Sequence, residues 1–240
     1  MSILRIIILS LFIFTQSQAD TIYNLIKIPN LEIYKINTSN KLRYLYAKQP
    51  FTIGVDNNIN CFNSEKEVLD KKYEIIQKNL NRYNQKFLKK INLKYIVLCE
   101  DLSISNINTA GIPDNVMKTL ILDIRFDEKY FERVIHHEVF HIINDNYKEI
   151  FNEKVWSNFN VKNFRYAECS TCTDKLGLDT YSDTEGFFTE YSQSTASEDM
   201  AEVFSHLMIG SDLSNNDPIL NKKIQFIKNN LLKIDENFVL

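Results

Sequence analysis

The segment His136-His137-Glu138-Val139-Phe140-His141 restricts the possible structure and chemistry of this chain more than any other feature of its sequence. On an α-helix, His137 and His141 lie one turn apart on the same face, near enough for both imidazoles to bind one metal ion. Glu138 directly follows the first of them, so its carboxylate can reach a water molecule beside that ion. The segment therefore predicts a metal-binding helix suited to hydrolysis, with His136 beside the site rather than in it.

Hydrophobic residues around this motif recur at helical spacing. Asp127 can cap the helix, which is expected to continue to about Asn146. The two histidines lie on nearly the opposite side from an apolar stripe formed by Phe131, Ile135, Val139 and Ile142. The helix therefore needs cover on both faces. We expect a sheet on one side, a later part of the chain on the other, and the metal in a cleft between them.

The rest of the chain predicts an α+β fold. Short strands are expected at 31–36, 42–47 and 51–55, then a helix capped by Ser64, with Glu67 completing a capping box, that runs to about Lys90. A strand at 94–100, a polar loop at 101–115 and a strand at 117–124 lead into the motif helix. Two further helices follow, one capped by Thr195 and reaching about Met208, the other starting at Asp217-Pro218 and reaching about Lys233.

The first nineteen residues predict an export signal. Arg5 precedes an apolar run at 6–14 that is too short to span a bilayer, and small residues precede an expected cleavage before Asp20. Residues 20–240 are expected to form a single domain, secreted or periplasmic, with no membrane span. The net charge of −3 and the absence of a basic surface argue against a nucleic-acid partner. The oligomeric state is not indicated.

Four cysteines in an exported chain are compatible with two disulfides. Of the three possible pairings, the sequence favours Cys61 with Cys99 and Cys169 with Cys172. A separate zinc site at the second pair would need two further ligands close by. A redox role would need a strand before the Cys-Ser-Thr-Cys turn and a helix after it, and neither is predicted.

A catalytic zinc site normally has three protein ligands, so a third must come from elsewhere in the chain. The extended motif His-Glu-x-x-His-x-x-Gly-x-x-His is absent, because Asn144 and Tyr147 occupy its Gly and last His positions. The remaining candidates are later residues, namely Glu185, Glu190, Glu198, Asp199, Glu202 and His206. Periodicity also allows a simpler interpretation, in which Glu198 and Glu202 are solvated acids on a helix whose other face is buried and His206 is partly exposed.

A resemblance favours Glu198. Tyr191, followed by Glu198 seven positions later and by Glu202 in the sequence Glu-Asp-Met-Ala-Glu, is similar to the second half of the active site in gluzincins of the anthrax lethal factor type. It also resembles secreted bacterial metallopeptidases with a Glu-Asp-x-Ala-Glu helix. The resemblance covers about residues 117–209 and implies a zincin-like fold, in which a small mixed sheet packs on the active-site helix and a mainly helical C-terminal lobe follows.

The resemblance also implies a role for each residue. Glu198 would be the third zinc ligand, beside His137 and His141, while Glu202 would hold a ligating imidazole in place. Tyr191 would assist the reaction as a hydrogen-bond donor, and Glu138 would act as general base. The expected substrate is a protein or peptide, which the strand at 117–124 could align by edge pairing.

Two other classes of function stay open at this point. One is a metal-binding protein without turnover, although the presence of Glu138 argues against it because a structural site needs no base. The other is a zinc amidase that acts on cell-wall material, since the same centre could cleave a non-peptide amide.

Overall fold

The structure is a computed structural model of the 240-residue chain, and it describes residues 28–180, 185–211 and 217–240. The predicted export signal at 1–19 and the expected cleavage before Asp20 lie outside the described residues. In the part of the chain that is described, no helix has the length and apolar character needed to cross a bilayer.

A mixed sheet forms the N-terminal half of the fold. In chain order, the strands that the structure describes are β1 (Leu31–Lys35), β2 (Arg43–Ala47), β3 (Phe51–Ile53), β4 (Ile59–Phe62), β5 (Tyr95–Ile104), β6 (Ile107–Asn108), β7 (Gly111–Asp114) and β8 (Thr119–Asp123). The first half of β5 pairs in parallel with β2 and β8, and its second half pairs antiparallel with β4 and β6. β1 extends the sheet beyond β2, β3 extends it beyond β4, and β7 extends it beyond β8.

Alternation along the central strands builds a separate hydrophobic core on each face of the sheet. Ile96 and Leu98 of β5 face the helices and join the larger core. Tyr95, Val97 and Cys99 face the other way and join a smaller core with Leu45 and Phe51. The Cys61–Cys99 disulfide joins β4 to β5 within that smaller core, and a second disulfide joins Cys169 to Cys172, so both predicted pairings are confirmed.

Six α-helices are described, together with two short 3₁₀ turns at Val55–Asn57 and Tyr191–Gln193. The α-helices are α1 (Lys66–Leu80), α2 (Gln85–Lys90), α3 (Glu128–Asn146), α4 (Glu153–Ser157), α5 (Ala196–Met208) and α6 (Pro218–Ile234). The side chains of Asp127, Thr195 and Asp217 each accept a hydrogen bond from an amide of the first turn, which confirms these three predicted caps. The motif helix is α3, and it packs against β7 and β8 on one side and against α5 on the other.

Four details of the predicted secondary structure are wrong. Ser64 caps no helix, because its hydroxyl donates to the carbonyl of Leu98, and α1 starts after Glu65 without a side-chain cap. The expected helix to Lys90 is two helices separated at 81–84. The expected loop at 101–115 contains the end of β5, all of β6 and all of β7. The strand expected at 117–124 is β8, which lies between β5 and β7 and therefore has no free edge.

The predicted α+β class is confirmed, with a mixed sheet on the motif helix and a mainly helical C-terminal part. The last helix is tied to α5 by a fully buried ion pair, in which Lys223 Nζ lies 2.6 Å from Asp199 Oδ2. Trp156 and Tyr166 also donate to Asp199 Oδ2, at 2.8 and 2.5 Å. Because Asp199 directly follows Glu198, this network orients the start of α5 at the candidate site.

Candidate metal centre

Three side chains from two helices converge on one point. His137 and His141, one turn apart on α3, have their Nε2 atoms 3.1 Å from each other. Glu198 Oε2 lies 2.9 Å from His137 Nε2 and 3.1 Å from His141 Nε2. These three side chains form a group whose ligand atoms all lie within 4.8 Å of one another.

The capped first turn of α5 places Glu198 at this point. Thr195 Oγ1 accepts a hydrogen bond from the Glu198 amide at 3.2 Å, so Glu198 sits in the first turn of the helix. Since α5 packs along α3, that first turn faces the histidines. Thr195 and Glu198 have the spacing of a capping box, in which the glutamate carboxylate folds back to the cap residue, but the Glu198 carboxylate instead points to the two imidazoles.

The donor set fits a zinc ion. Zinc bonds of about 2.0–2.1 Å in tetrahedral geometry separate neighbouring ligand atoms by roughly 3.3 Å, close to the separations seen here. Burial disfavours a charged His137, but the carboxylates of Glu198 and Glu202 outweigh it and raise its pKa to about 10. Burial opposes ionisation of Glu198, yet His141 and His137 hold the pKa of this carboxyl well below its usual range. The centre therefore stabilises a positive charge between the two imidazoles and the Glu198 carboxylate. A divalent cation bound there would supply that charge in place of a proton.

Glu202 orients His137 through Nδ1, the ring nitrogen that does not face the other candidate ligands. Its Oε1 accepts from His137 Nδ1 at 2.8 Å, which leaves His137 Nε2 directed at the centre. Its Oε2 accepts from the buried guanidinium of Arg133 and from Thr189 Oγ1, the latter at 2.7 Å. Burial raises the pKa of Glu202, but the hydrogen bond from His137 and the charges of His137 and Arg133 outweigh it and lower the pKa to about 2.

Glu138 lies beside the three candidate ligands and against strand β7. It is 8% exposed and lines the same cleft as His137 and His141. Burial raises the pKa of its carboxyl to about 6. A Cβ atom built on Gly111 of β7 would lie 2.6 Å from Glu138 Cγ, so the side chain rests directly on the glycine.

Tyr191 lies beside His137 and lines the same cleft. Its ring centroid is 6.0 Å from that of His137, and its amide donates to the carbonyl of Gly177 at 3.0 Å. Burial, followed by the nearby Glu198 and Glu138 carboxylates, raises the pKa of the Tyr191 hydroxyl. The hydroxyl is therefore protonated at neutral pH and able to donate a hydrogen bond.

A cleft of about 550 Å³ opens beside the centre. One wall comes from β6, β7 and the residues between them, and the other from 170–178, including the two residues enclosed by the Cys169–Cys172 disulfide. The floor carries Glu138 and the three candidate ligands. The three candidate ligands are thus mostly buried and are accessible from the cleft.

Other residues considered from the sequence lie elsewhere. His136 is buried on the opposite side of α3, between the Tyr83 hydroxyl and the Asn79 amide, at 2.6 and 3.0 Å from its ring nitrogens. Glu190 accepts from the Gly177 amide instead of approaching the histidines. The expected partial exposure of His206 is wrong, because it is buried and stacks on Phe188 with ring centroids 4.3 Å apart.

Sequence reasoning missed Arg133, Thr189 and Gly111. Arg133 did carry a signal, since it lies four positions before His137 and therefore on the same face of α3. A charged residue at that spacing is expected to contact whatever holds the histidine. Thr189 and Gly111 had no comparable signal, because they come from irregular or poorly predicted segments that only the tertiary fold brings to the site.

Comparison with known proteins identifies a family for this chain. Residues 68–233 match the model of a family described as "Putative zinc-binding metallo-peptidase". The chain is similar to a solved structure described as "a putative zinc-binding metallo-peptidase from Bacteroides caccae ATCC 43185", with 18% identity and a TM-score of 0.42 over 91% of this chain and 87% of that one. No curated protein matches the chain.

Proposed function

We infer that this chain, which belongs to the family of zinc-binding metallo-peptidases whose model it matches, is a zinc-dependent endopeptidase with His137, His141 and Glu198 as its zinc ligands. The observation that carries the proposal is the triangle of ligand atoms, whose sides are 2.9, 3.1 and 3.1 Å. Glu198 lies 61 positions from His137 and 57 from His141 in the sequence. The two His and one Glu would make this a gluzincin-type centre.

The reaction we propose is hydrolysis of a peptide bond. A zinc ion held here supplies Lewis acidity, which acidifies a water molecule and polarises a carbonyl group. Glu138, buried next to the ligands, takes the proton of the attacking water and passes it to the leaving amine. Tyr191 donates a hydrogen bond to the oxyanion, an effect of about 3 kcal/mol where comparable donors have been removed. Glu202 keeps His137 in the orientation that ligation requires.

An extended substrate would pair with β7 rather than with β8. The Asp123 amide donates to the carbonyl of Ala110, so Ala110 and Asp123 are a hydrogen-bonded pair. By antiparallel alternation, the polar backbone groups of Gly111 and Pro113 then point away from β8, toward the cleft. Pro113 fits this edge position because it has no N–H to lose. A substrate strand would exchange hydrogen bonds mainly with Gly111, whose carbonyl also accepts from Thr109 Oγ1 at 3.1 Å.

We also propose that the protein works outside the cytoplasm, in a periplasm or after secretion. Support comes from the export signal expected at 1–19 and from the two disulfides, which persist mainly in oxidising compartments.

The ligand set is tested by measuring zinc bound per chain after removal of single carboxylates. Glu198→Ala is expected to leave much of the protein without zinc. Glu185→Ala and Glu190→Ala serve as matched controls and are expected to retain it, because Glu185 is exposed and the Glu190 carboxylate accepts from the Gly177 amide. Equal zinc content in all three variants would show that Glu198 is not a ligand.

The reaction is tested with an unfolded protein as substrate, with and without a chelator. Cleavage that requires the metal and is slowed about 100-fold or more by Glu138→Gln supports the proposal. Zinc binding without any cleavage would instead indicate a binding protein, and hydrolysis of cell-wall amides alone would indicate an amidase. Cleavage by Glu138→Gln at the rate of the unmodified protein would contradict the role of Glu138.

A further inference from the structure

One end of the cleft beside the candidate metal centre is lined by large apolar side chains. We call this region the apolar end of the cleft; it consists of Ile107, Phe126, Val134, Leu176 and Leu178. Val134 lies on the same face of α3 as His137 and His141, one turn before His137. It is buried, yet it belongs to neither hydrophobic core of the protein. Its side chain is therefore covered by the walls of the cleft.

Specific contacts hold the outer wall of this region against α3. Arg133, next to Val134, donates through Nη2 to the carbonyl of Leu178 at 2.7 Å. Tyr130, one turn earlier, donates through its hydroxyl to Asp179 Oδ1 at 2.9 Å. The segment that carries Leu176 and Leu178 is consequently fixed over the N-terminal half of the motif helix. The apolar end is therefore held in place by these contacts, and it belongs to the same cleft as the candidate metal centre.

The charges that line the cleft all have one sign apart from the candidate histidine ligands. Its carboxylates belong to Glu138, Asp145, Glu198 and Glu202, and none of the described lining residues is Lys or Arg. An acidic substrate side chain would lose its hydration among the apolar walls and find no lysine or arginine on them to pair with. A large apolar side chain would displace water from apolar walls, which is favourable in proportion to the area buried.

We propose, on the basis of the function proposed above, that the enzyme selects peptides with a large apolar residue, such as Leu, Phe or Met, next to the scissile bond. The apolar end of the cleft binds that side chain. Asp and Glu at the same position are rejected because the apolar walls remove water from a carboxylate without supplying a charged partner. Two substrates whose side chains differ by one methylene group in a hydrophobic pocket differ in kcat/KM by about tenfold or more, which is the origin of this kind of specificity.

The substrate preference is tested with a peptide set that differs only at the residues flanking one cleavable bond. The zinc-loaded protein is expected to cleave the Leu and Phe peptides with kcat/KM about tenfold or more above the Ala peptide, and the Glu peptide least well. Equal cleavage of all members, or preference for Ala, Lys or Glu, would overturn this inference while leaving the peptidase proposal intact. Cleavage of no peptide would instead count against the peptidase proposal itself.

Two pairs of variants locate the preference in the structure. Leu176→Asp and Ile107→Asp place a charge at the apolar end, and both positions are exposed enough, at 56% and 49%, to tolerate it. Leu232→Asp and Val155→Asp are matched controls at similarly exposed apolar positions, 48% and 46%, that do not line the cleft. The first pair is expected to lower kcat/KM for the Leu peptide about tenfold or more relative to the Ala peptide. An unchanged preference in that pair, or an equal loss in the controls, would overturn the assignment.

Discussion

Gly111 of β7 lies directly against Glu138 of α3, and the contact leaves no room for a side chain at the glycine. A Cβ atom on Gly111 would approach Glu138 Cγ to 2.6 Å and Glu138 Cδ to 3.1 Å, whereas non-bonded carbons pack at about 3.5–4.0 Å. Gly111 does not have a positive φ, so its backbone conformation is open to other residues. The glycine is required for space alone, and that space is filled by the proposed general base.

Gly111→Ala is therefore expected to displace the Glu138 carboxylate. A displacement near 1 Å at a reacting group lowers kcat by roughly 100-fold. Zinc content is expected to stay the same, because the substitution touches none of the proposed ligands. Steady-state kinetics should show the loss mainly in kcat, since the added methyl points at the helix and not at the substrate edge of β7.

The Glu138→Gln background is the control for that prediction. If Gly111 acts through Glu138, the double variant should be no less active than Glu138→Gln alone. A Gly111→Ala protein with normal kcat, or a further loss in the double variant, would contradict the positioning role.

Glu202→Gln is expected to weaken zinc binding by about 10- to 100-fold, because the neutral amide is a poorer acceptor for His137 Nδ1 than the carboxylate. Chelator competition measures the zinc affinity directly. Glu149→Gln, at an exposed position just beyond α3, is the matched control and should bind zinc normally. Unchanged affinity in Glu202→Gln would show that His137 is oriented by its packing alone.

The buried pair of Lys223 and Asp199 predicts a large effect on stability. Lys223→Met leaves the Asp199 carboxylate buried without its cation, which should lower the free energy of unfolding by about 3–5 kcal/mol. Lys222→Met changes an exposed neighbour and should have little effect. Chemical denaturation of the three proteins measures the difference. Similar stability of both variants would indicate that the aromatic neighbours, not the ion pair, hold α6 in place.

His206 predicts a pH dependence of stability. Burial lowers its pKa to about 4 in the folded protein, whereas the unfolded chain has its ordinary value near 6.5. Below about pH 6.5 the unfolded state therefore binds a proton that the folded state does not, so stability falls as the pH drops toward 4. Between pH 7 and 4.5 this single group costs about 2 to 3 kcal/mol.

The test compares the metal-free protein with His206→Gln over that pH range. The variant should lose less stability on acidification, because its side chain does not titrate. Parallel curves for the two proteins would mean that His206 can be protonated without loss of its packing against Phe188.

The parts of the site that were predictable from sequence are those encoded locally. Helical spacing placed His137, Glu138 and His141 on α3, and the caps at Asp127 and Thr195 marked where α3 and α5 begin. These features depend on residues within a turn or two of one another. The convergence of Glu198 on the histidines was expected only from a resemblance, because periodicity alone favoured a solvated acid at this position.

The sheet was less predictable because its edge depends on tertiary contacts. Gly111 and Pro113 are typical of loops when considered by sequence alone. In the structure the glycine makes room for Glu138, and the proline lies in an edge strand where its missing N–H costs no ladder hydrogen bond. For the same reason, β8 was expected to be the free edge, although β7 covers it.

The most direct test of the metal centre is a crystal structure of the zinc-soaked protein with anomalous diffraction recorded at the zinc edge. We predict one strong peak about 2.0–2.2 Å from His137 Nε2, His141 Nε2 and a carboxylate oxygen of Glu198. A peak bound by the two histidines but with Glu198 turned away, or by a different set of residues, would contradict the central claim.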